Sequence, residues 1–244
     1  MMDAVGIIPA RYGSTRFEGK VLADLLGKPV IQHVWENAKR ANTLNDLIVA
    51  TDDPRIRDEV IRFGGKAVLT AKEHKTGTDR MREVVNAIDT KVVVNIQADE
   101  PLLHPSMIDD IVTPLLEGRG ALMTTLKKKI TDPEDLKNPN VVKVVTDKNG
   151  YALYFSRSGI PYPRFHEDVI YYKHIGLYGF TKEFLFTFTN LPASALENIE
   201  GLEQLRVLEN GYRIKVAETQ FDTIGIDTPE DLERAKEVLI SRGR

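Results

Sequence analysis

The chain has 244 residues, 42% of them hydrophobic and 28% charged, with a formal net charge of −3 at pH 7. This composition is typical of a soluble globular protein, and the slightly negative charge argues against a broad nucleic-acid-binding surface. The absence of cysteine excludes disulfides, thiolate zinc sites and cysteine nucleophiles, and it is compatible with a cytoplasmic location.

The first half of the chain alternates between apolar runs and amphipathic segments. The run 91–97 is apolar on both faces, as is typical of a central strand in a parallel sheet. Proline at the start and glycine at the end bound one of the helical segments. The predicted order is strand 4–8, helix 29–41, strand 46–51, helix 54–65, strand 66–70, helix 78–88, strand 91–97 and helix 105–118. This alternation predicts an α/β fold with a doubly wound, mostly parallel sheet.

The second half is predicted to be richer in strands, with antiparallel pairing. Asn149-Gly150 is a β-hairpin signal, and Thr228, Pro229 and Asp231 are typical of a helix start. We find no repeats and no low-complexity linker, so we expect a single domain, 1–244, with a β-rich insertion in its second half. The predicted elements are strands at 121–128, 140–156, 173–180 and 213–218, and helices at 199–211 and 228–243.

The segment 9–20, PARYGSTRFEGK, follows the first predicted strand and comes close to a P-loop without being one. Five residues rather than four separate Gly13 from Gly19-Lys20, and Val21 lacks the hydroxyl that a P-loop places on magnesium. Its cations, glycines and hydroxyls are nevertheless the groups that cradle phosphates. The alternative is an ordinary solvated loop. The cations are Arg11, Arg16 and Lys20, and the hydroxyls are Ser14 and Thr15.

Two carboxylates are candidate ligands for a hard cation. Asp99, followed by Glu100, comes after strand 91–97, at the sheet edge where ligands bind in open α/β folds. Asp227 directly precedes the predicted N-cap Thr228. Each has a structural alternative, namely a turn before a helix for Asp99 and a favourable charge at a helix start for Asp227. Because magnesium is usually held by one or two carboxylates plus substrate phosphates, the pair predicts a magnesium site.

Other chemistries lack their signatures in this sequence. It contains no G-x-S-x-G and no G-x-G-x-x-G, and its five histidines show no metal-ligand spacing. Neither a signal peptide nor a membrane span is expected, because Asp3 precedes a short apolar run and no uncharged apolar stretch approaches about 18 residues. We therefore expect small-molecule substrates, with no nucleic-acid or membrane partner.

Longer motifs resemble those of the 3-deoxy-manno-octulosonate (Kdo) cytidylyltransferases, the CMP-Kdo synthetases of lipopolysaccharide biosynthesis. In chain order they are IIPARYGSTRFEGK, ATDD, KTGTDR, NIQADEP, NPNVVKVV, GYALYFSRSGIPY, KHIGLYGF, LEQLRVLENG and GIDTPEDLERA. The first fits many nucleotidyltransferases, whereas YALYFSR and LEQLRVLENG are more specific. The resemblance implies a Rossmann-like, glycosyltransferase-A-type fold and transfer of CMP from CTP to the anomeric hydroxyl of Kdo, with release of pyrophosphate. It also implies Mg²⁺ as cofactor and a homodimer.

The resemblance further implies which residues act. Within the single domain it distinguishes a nucleotide-binding part (1–120), a sugar-binding and dimerisation part (121–218), and a C-terminal metal ligand and helix (219–244). The implied catalytic residues are Arg11, Lys20, Asp99 and Asp227, the last two as metal ligands. The implied nucleotide contacts are Arg11, Ser14, Arg16, Lys20, Thr76, Gly77, Arg80 and Gln97. The implied sugar contacts are Arg157, which offers a fork for a carboxylate, and His174, Tyr178, Glu203 and Gln204.

The chain departs from the family pattern at two positions. Glu18 stands where the family usually has proline, and we expect it to point to solvent. Ala98 stands where the family usually has glycine, which is tolerable only if its backbone φ is negative.

Three alternatives remain open at this stage. The first is CMP activation of a related 2-keto sugar acid, such as 8-amino-Kdo or a sialic acid, because few pocket contacts separate these sugars. The second is a catalytically silent nucleotide-binding regulator, and the third is a sugar-1-phosphate nucleotidyltransferase. The acidic residues and the sugar set argue against a silent regulator, and the region of Arg157 gives the third no clear support.

Overall fold

The computed structural model of the protein describes residues 2–74, 76–118, 120–165 and 168–242. Lys75 of the KTGTDR motif and His166, one of the five histidines, lie outside the described residues. Within the described ranges, no helix is long and apolar enough to cross a membrane.

In the first half, the structure confirms the predicted alternation of strands and helices. The phosphate-loop candidate leads into a short 3₁₀ turn and a small hairpin before the first helix. The bounds are β1 Met2–Ala10, the 3₁₀ turn Lys20–Leu22, β2 Asp24–Leu25, β3 Lys28–Pro29, α1 Val30–Ala38, β4 Asp46–Thr51, α2 Pro54–Arg62, β5 Lys66–Leu69, α3 Gly77–Asn86, β6 Thr90–Asn95 and α4 Pro105–Leu116.

In the second half, the predicted strands are present, and the Asn149-Gly150 signal falls at the turn between two antiparallel strands. The last helix begins as predicted, since Thr228 accepts a hydrogen bond from the Asp231 backbone N–H (3.3 Å). The bounds are β7 Met123–Lys129, α5 Pro133–Lys137, β8 Lys143–Thr146, β9 Ala152–Ser156, β10 Tyr172–Thr181, α6 Lys182–Asn190, α7 Ala195–Glu200, α8 Leu205–Glu209, β11 Ile214–Glu218 and α9 Pro229–Arg242.

The prediction of one helix over 199–211 is wrong, because the chain forms two short helices, α7 and α8, with a turn between them. Gly201 adopts the left-handed conformation (φ 62°, ψ 43°) that ends a helix. The turn that follows carries Glu203 and Gln204, two of the residues expected to contact the sugar. The break therefore places these residues on a turn rather than on the exposed face of a continuous helix.

A largely enclosed ion pair joins the two helices on either side of this turn. Arg206 donates from Nε to Glu197 Oε2 (2.7 Å) and from Nη2 to Glu197 Oε1 (2.5 Å). The two side chains are only 16% and 12% exposed. Glu197 Oε2 also accepts a hydrogen bond from the Ser194 backbone N–H at the start of α7 (3.1 Å). The pair thus fixes α7, α8 and the intervening turn relative to one another.

Helix α6 was not predicted from the sequence. Its segment KEFLFTFTN is rich in phenylalanine and threonine, which are enriched in strands. The Thr181 side chain accepts a hydrogen bond from the Phe184 backbone N–H (3.2 Å) and so caps the helix. Burial of Phe184, Leu185 and Phe188 against the sheet decides in favour of the helix.

Apart from the separate β2–β3 hairpin, the strands form one mixed sheet in the order β11-β7-β10-β6-β1-β4-β5, with the β8–β9 pair attached to β10. Pairings among β6, β1, β4 and β5 are parallel, as is that of β11 with β7. Strand β10 is antiparallel to both of its neighbours, β6 and β7. This topology confirms an α/β fold with a mostly parallel sheet and a β-rich second half, and it aligns the carboxyl ends of β1 and β6 at one edge.

Apolar side chains alternate between the two faces of the central strands and form a core on each side. On β6, Val92 and Val94 face one core, which includes α1 and α4. Val93 faces the other core, which includes α3 and α6. Because side chains alternate along a strand, Asn95 lies on the same face as Val93, where the strand reaches the functional edge.

Candidate active site

A pocket of about 380 Å³ opens at the carboxyl edge of β1 and β6. The start of α3 forms one wall, and β10 with the turn after α7 contributes to another. Of the residues predicted to act, it is lined by Arg11, Lys20, Thr76, Gly77, Arg80, Gln97, Asp99, Tyr178 and Glu203. Predicted phosphate-side and acceptor-side residues therefore meet in one cavity.

The phosphate loop is held in a defined shape beside the pocket. Gly19 has φ 70° and donates its N–H to Tyr12 O (2.9 Å), and a Cβ there would lie 3.0 Å from the Tyr12 ring. Glycine thus meets both a backbone and a packing requirement at this position. Glu18 is exposed, as expected. Ser14 belongs to the same loop but lies outside the pocket lining.

Lys20 links the two predicted metal ligands. Its ammonium contacts Asp99 and also Asp227 (2.9 Å to Oδ1), while Arg16 donates to the other oxygen of Asp227 (2.9 Å). Burial lowers the pKa of Lys20, but the two carboxylates outweigh it and raise the pKa above its ordinary value. Burial acts to raise the pKa of Asp227, but Lys20 and Arg16 outweigh this effect, and the net pKa is lowered. This carboxyl is therefore ionised at neutral pH.

The donor set fits a hard divalent cation. Asp99 and Asp227 already share one cationic group, and the Ile226 backbone N–H donates to Asp99 O (2.9 Å), which ties the two segments together. Within the described part of the chain, no group of three or more metal-ligating side chains occurs. In proteins generally, magnesium is bound by one or two carboxylates together with substrate phosphate oxygens, and the pair Asp99 and Asp227 matches that donor set.

The neighbouring carboxyl, Glu100, has a strongly raised pKa. Burial first, and the charge of Asp99 second, raise the pKa of Glu100 to about 8. At neutral pH the Glu100 carboxyl is therefore largely uncharged. The preceding residue, Ala98, is not among the described residues with positive φ, so the condition for replacing the usual glycine is met.

The start of α3 presents the predicted nucleotide contacts. Thr76 is its N-cap and accepts a hydrogen bond from the Asp79 backbone N–H (3.1 Å). Arg80 is 5% exposed, lies 3.3 Å from Asp52 and also contacts Thr70. Because Arg80 is already held by protein partners, its position beside the pocket is fixed before any ligand enters.

On the acceptor side, the structure brings only part of the predicted sugar set to the pocket. Tyr178 and Glu203 line it, and Glu203 accepts a hydrogen bond from Thr78 (3.0 Å). Burial raises the pKa of both groups. Gln204, next to Glu203, is 4% exposed and lies outside the lining.

Arg157 and His174 also lie outside the pocket lining. The Arg157 guanidinium donates to three backbone carbonyls, Glu200 O (2.6 Å), Pro139 O (2.9 Å) and Gly201 O (3.4 Å). In this arrangement it supports the end of α7 rather than pointing into the cavity. A direct contact between Arg157 and a sugar acid stays a prediction.

His174 is expected to remain neutral and to reduce stability at acidic pH. Burial lowers the pKa of its imidazole to about 3, and Thr125 Oγ1 lies 2.9 Å from its Nε2. Unfolded histidine has a pKa of about 6.5, so below that pH the unfolded chain binds the proton more tightly. Denaturant unfolding should show that the wild type loses about 1 kcal/mol more than His174→Gln between pH 7.0 and 5.5. An equal loss in both proteins would contradict the depressed pKa.

Three polar residues of the pocket were missed in the sequence. His74 and Thr78 flank Thr76 and Gly77, and Asn95 begins the NIQADEP motif. Thr78 and Asn95 lie within motifs that carry the family resemblance. Nothing in their spacing, however, distinguishes these side chains from polar groups that are simply buried in the core.

The fold and this pocket define a nucleotidyltransferase of the cytidylyltransferase class: the family model described as "Cytidylyltransferase" matches residues 5–215. Relatives named 3-deoxy-manno-octulosonate cytidylyltransferase include one from Geotalea uraniireducens (strain Rf4), 51% identical and covering 98% of this chain and 99% of its own, and one from Fusobacterium nucleatum subsp. nucleatum, 52% identical and covering 96% and 95%. The chain belongs to the 3-deoxy-manno-octulosonate cytidylyltransferase family.

Solved structures agree with this assignment. A CMP:2-keto-3-deoxy-manno-octonic acid synthetase complexed with CTP superposes with a TM-score of 0.94 at 41% identity, over 98% of this chain and 99% of the other. A 4-diphosphocytidyl-2C-methyl-D-erythritol synthase from Anaerococcus prevotii has a TM-score of 0.64 at 16% identity, over 98% of this chain and 99% of the other, and shares the fold.

Proposed function

We propose that this protein transfers CMP from CTP to the anomeric hydroxyl of Kdo, releasing pyrophosphate and giving CMP-Kdo for lipopolysaccharide biosynthesis. The observation that carries the proposal is a single pocket that joins a cationic loop, Asp99 and a polar acceptor wall, in a chain about half identical to relatives of that name. This arrangement matches a reaction between a triphosphate and a polyhydroxy acid.

The residues of the pocket account for the chemistry as follows. The acceptor oxygen attacks the α-phosphorus in line, the bond from that phosphorus to the bridging oxygen breaks, and pyrophosphate departs. Arg11 and Lys20 stabilise the negative charge that develops on the departing group. Tyr178 and Glu203 orient the acceptor, which converts a bimolecular encounter into a positioned attack.

We propose Mg²⁺ as the cofactor, held by Asp99 and Asp227 together with phosphate oxygens. When bound, the ion would supply charge neutralisation at the phosphate and lower the pKa of the attacking hydroxyl. Lys20, which contacts both carboxylates in this structure, would then turn towards the triphosphate.

The homodimer and the cytoplasmic location belong to the same proposal. Large apolar side chains are exposed in the part 121–218, as expected of a surface that a second copy covers. The most exposed of them are Leu153, Tyr162, Phe165, Ile170 and Ile199, between 53% and 84% exposed. A cytoplasmic location follows from the proposed use of CTP, and light scattering of the purified protein would test the dimer.

The experiment is a pyrophosphate-release assay with each of the four nucleoside triphosphates, with and without Kdo, in magnesium and in chelator. We expect release only with CTP, Kdo and magnesium together. A sugar panel resolves the alternatives: preference for 8-amino-Kdo or a sialic acid would change the acceptor, and turnover of a sugar 1-phosphate would change the class. CTP binding without any release would indicate a silent regulator.

A further inference from the structure

We propose that Asn95 is a specificity-determining residue that donates a hydrogen bond to an oxygen of the acceptor sugar acid. The inference rests on the proposed function, and it adds a substrate contact that the family resemblance did not imply. Asn95 is the last residue of β6, is 5% exposed and lines the pocket.

The Asn95 side chain has no hydrogen-bond partner among the described residues. Its Oδ1 is enclosed by protein and unpaired. Its Nδ2 makes no hydrogen bond to a described residue, and Asn95 lines the pocket, so this donor is free to bond a ligand there. Most buried polar side chains in proteins are paired, and an unpaired amide next to a cavity therefore points to a ligand.

The surroundings of Asn95 make this choice of residue costly without a ligand. Along β6 it takes the place of an apolar side chain on the face of Val93, and its register partners are Ile7 on β1 and Tyr178 on β10. An apolar residue would pack there without leaving a polar group unpaired. The unpaired amide thus lowers the stability of the ligand-free protein, and a hydrogen bond to the substrate would compensate for that loss.

The position of Asn95 favours the acceptor over the nucleotide. Its direct cross-strand partner, Tyr178, and the nearby lining residue Glu203 form the acceptor wall. Most of the predicted nucleotide contacts come instead from the loop after β1 and from the start of α3, and Gln97, two residues beyond Asn95, is the one that follows β6. An amide donor on the acceptor side suits an oxygen of a polyhydroxy acid.

The test compares Asn95→Leu, which keeps the side-chain shape, and Asn95→Ser, which keeps a donor, with the wild type. We expect Asn95→Leu to raise KM for Kdo about tenfold, the loss typical of one neutral hydrogen bond. KM for CTP should stay within about twofold and the melting temperature should be unchanged or higher, while Asn95→Ser recovers part of the Kdo affinity. Thr90→Val, at the other end of β6, is the control for strand perturbation, since the Thr90 hydroxyl donates only to Val92 O (3.1 Å) within the described chain.

A set of Kdo analogues, each lacking one oxygen substituent, provides a second readout. In the wild type one analogue should lose about tenfold relative to Kdo, and in Asn95→Leu that same difference should disappear. Unchanged Kdo affinity in Asn95→Leu, an effect on CTP alone, or an equal loss in Thr90→Val would overturn the inference. Failure of the wild type to use Kdo at all would instead overturn the proposed function.

Discussion

Asp99→Asn is expected to lower the rate of CMP transfer by at least about 10²–10³-fold while leaving the protein folded. The substitution keeps the shape of the side chain and removes one of the two negative charges that face Lys20. Burial, which is the larger cause of the raised pKa of Glu100, persists in the variant and disfavours a compensating charge on this neighbouring carboxyl. The remaining carboxylate, Asp227, is already paired with both Arg16 and Lys20.

Steady-state pyrophosphate release with CTP and Kdo measures this effect, and circular dichroism verifies the fold. Asp58→Asn is the matched control, since Asp58 is an exposed carboxylate paired only with its neighbour Arg57 in the described structure. The control should keep wild-type turnover. Near-normal turnover by Asp99→Asn would remove Asp99 from the catalytic machinery and with it the proposed magnesium site.

Arg206→Met is expected to lower the free energy of unfolding by about 3 kcal/mol, because it leaves Glu197 buried without its counter-charge. The two hydrogen bonds of the fork are short, and both side chains are less than a fifth exposed. Since the pair fixes the turn that carries Glu203, we also expect a weaker affinity for Kdo than for CTP in the surviving folded protein.

Urea unfolding of a double-mutant cycle measures the effect. Glu197→Gln combined with Arg206→Met removes the stranded charge, so the double variant should be more stable than Arg206→Met alone. Lys236→Met, which removes an exposed pair with Glu233, is the control and should change stability by less than about 1 kcal/mol. If the single and double variants were equally unstable, packing rather than charge would explain the loss.

The predictable parts of the fold were those in which local signals and packing agree. The predictions of strand 46–51 and of the start of α9 were correct, because an apolar run and a capping residue are local signals that span only a few residues. Helix α6 was missed because burial overrode the strand preference of its residues. The break between α7 and α8 depends on the left-handed conformation of Gly201. It was not predicted, because the residues on either side of Gly201 have the pattern of one amphipathic helix.

The predictable parts of the site were those carried by loops that follow strands. Lys20 and Asp99 meet because the carboxyl ends of β1 and β6 share one edge, which the parallel order already implied. The position of Arg157 could not be predicted, since the carbonyl groups that it contacts at the C-terminal end of α7 are brought to it by tertiary packing. Asn95 could not be recognised either, because only the structure reveals that its amide is unpaired.

The hydrogen bond from the Ile226 N–H to Asp99 O has a consequence for the order in which the protein acquires activity during synthesis. Asp227 follows β11, so a ribosome has produced every strand of the described sheet before the second carboxylate emerges. A chain that lacks the segment after β11 would carry only one of the two proposed metal-ligating carboxylates. Under the proposed role of Asp227, activity would therefore depend on the segment that follows β11.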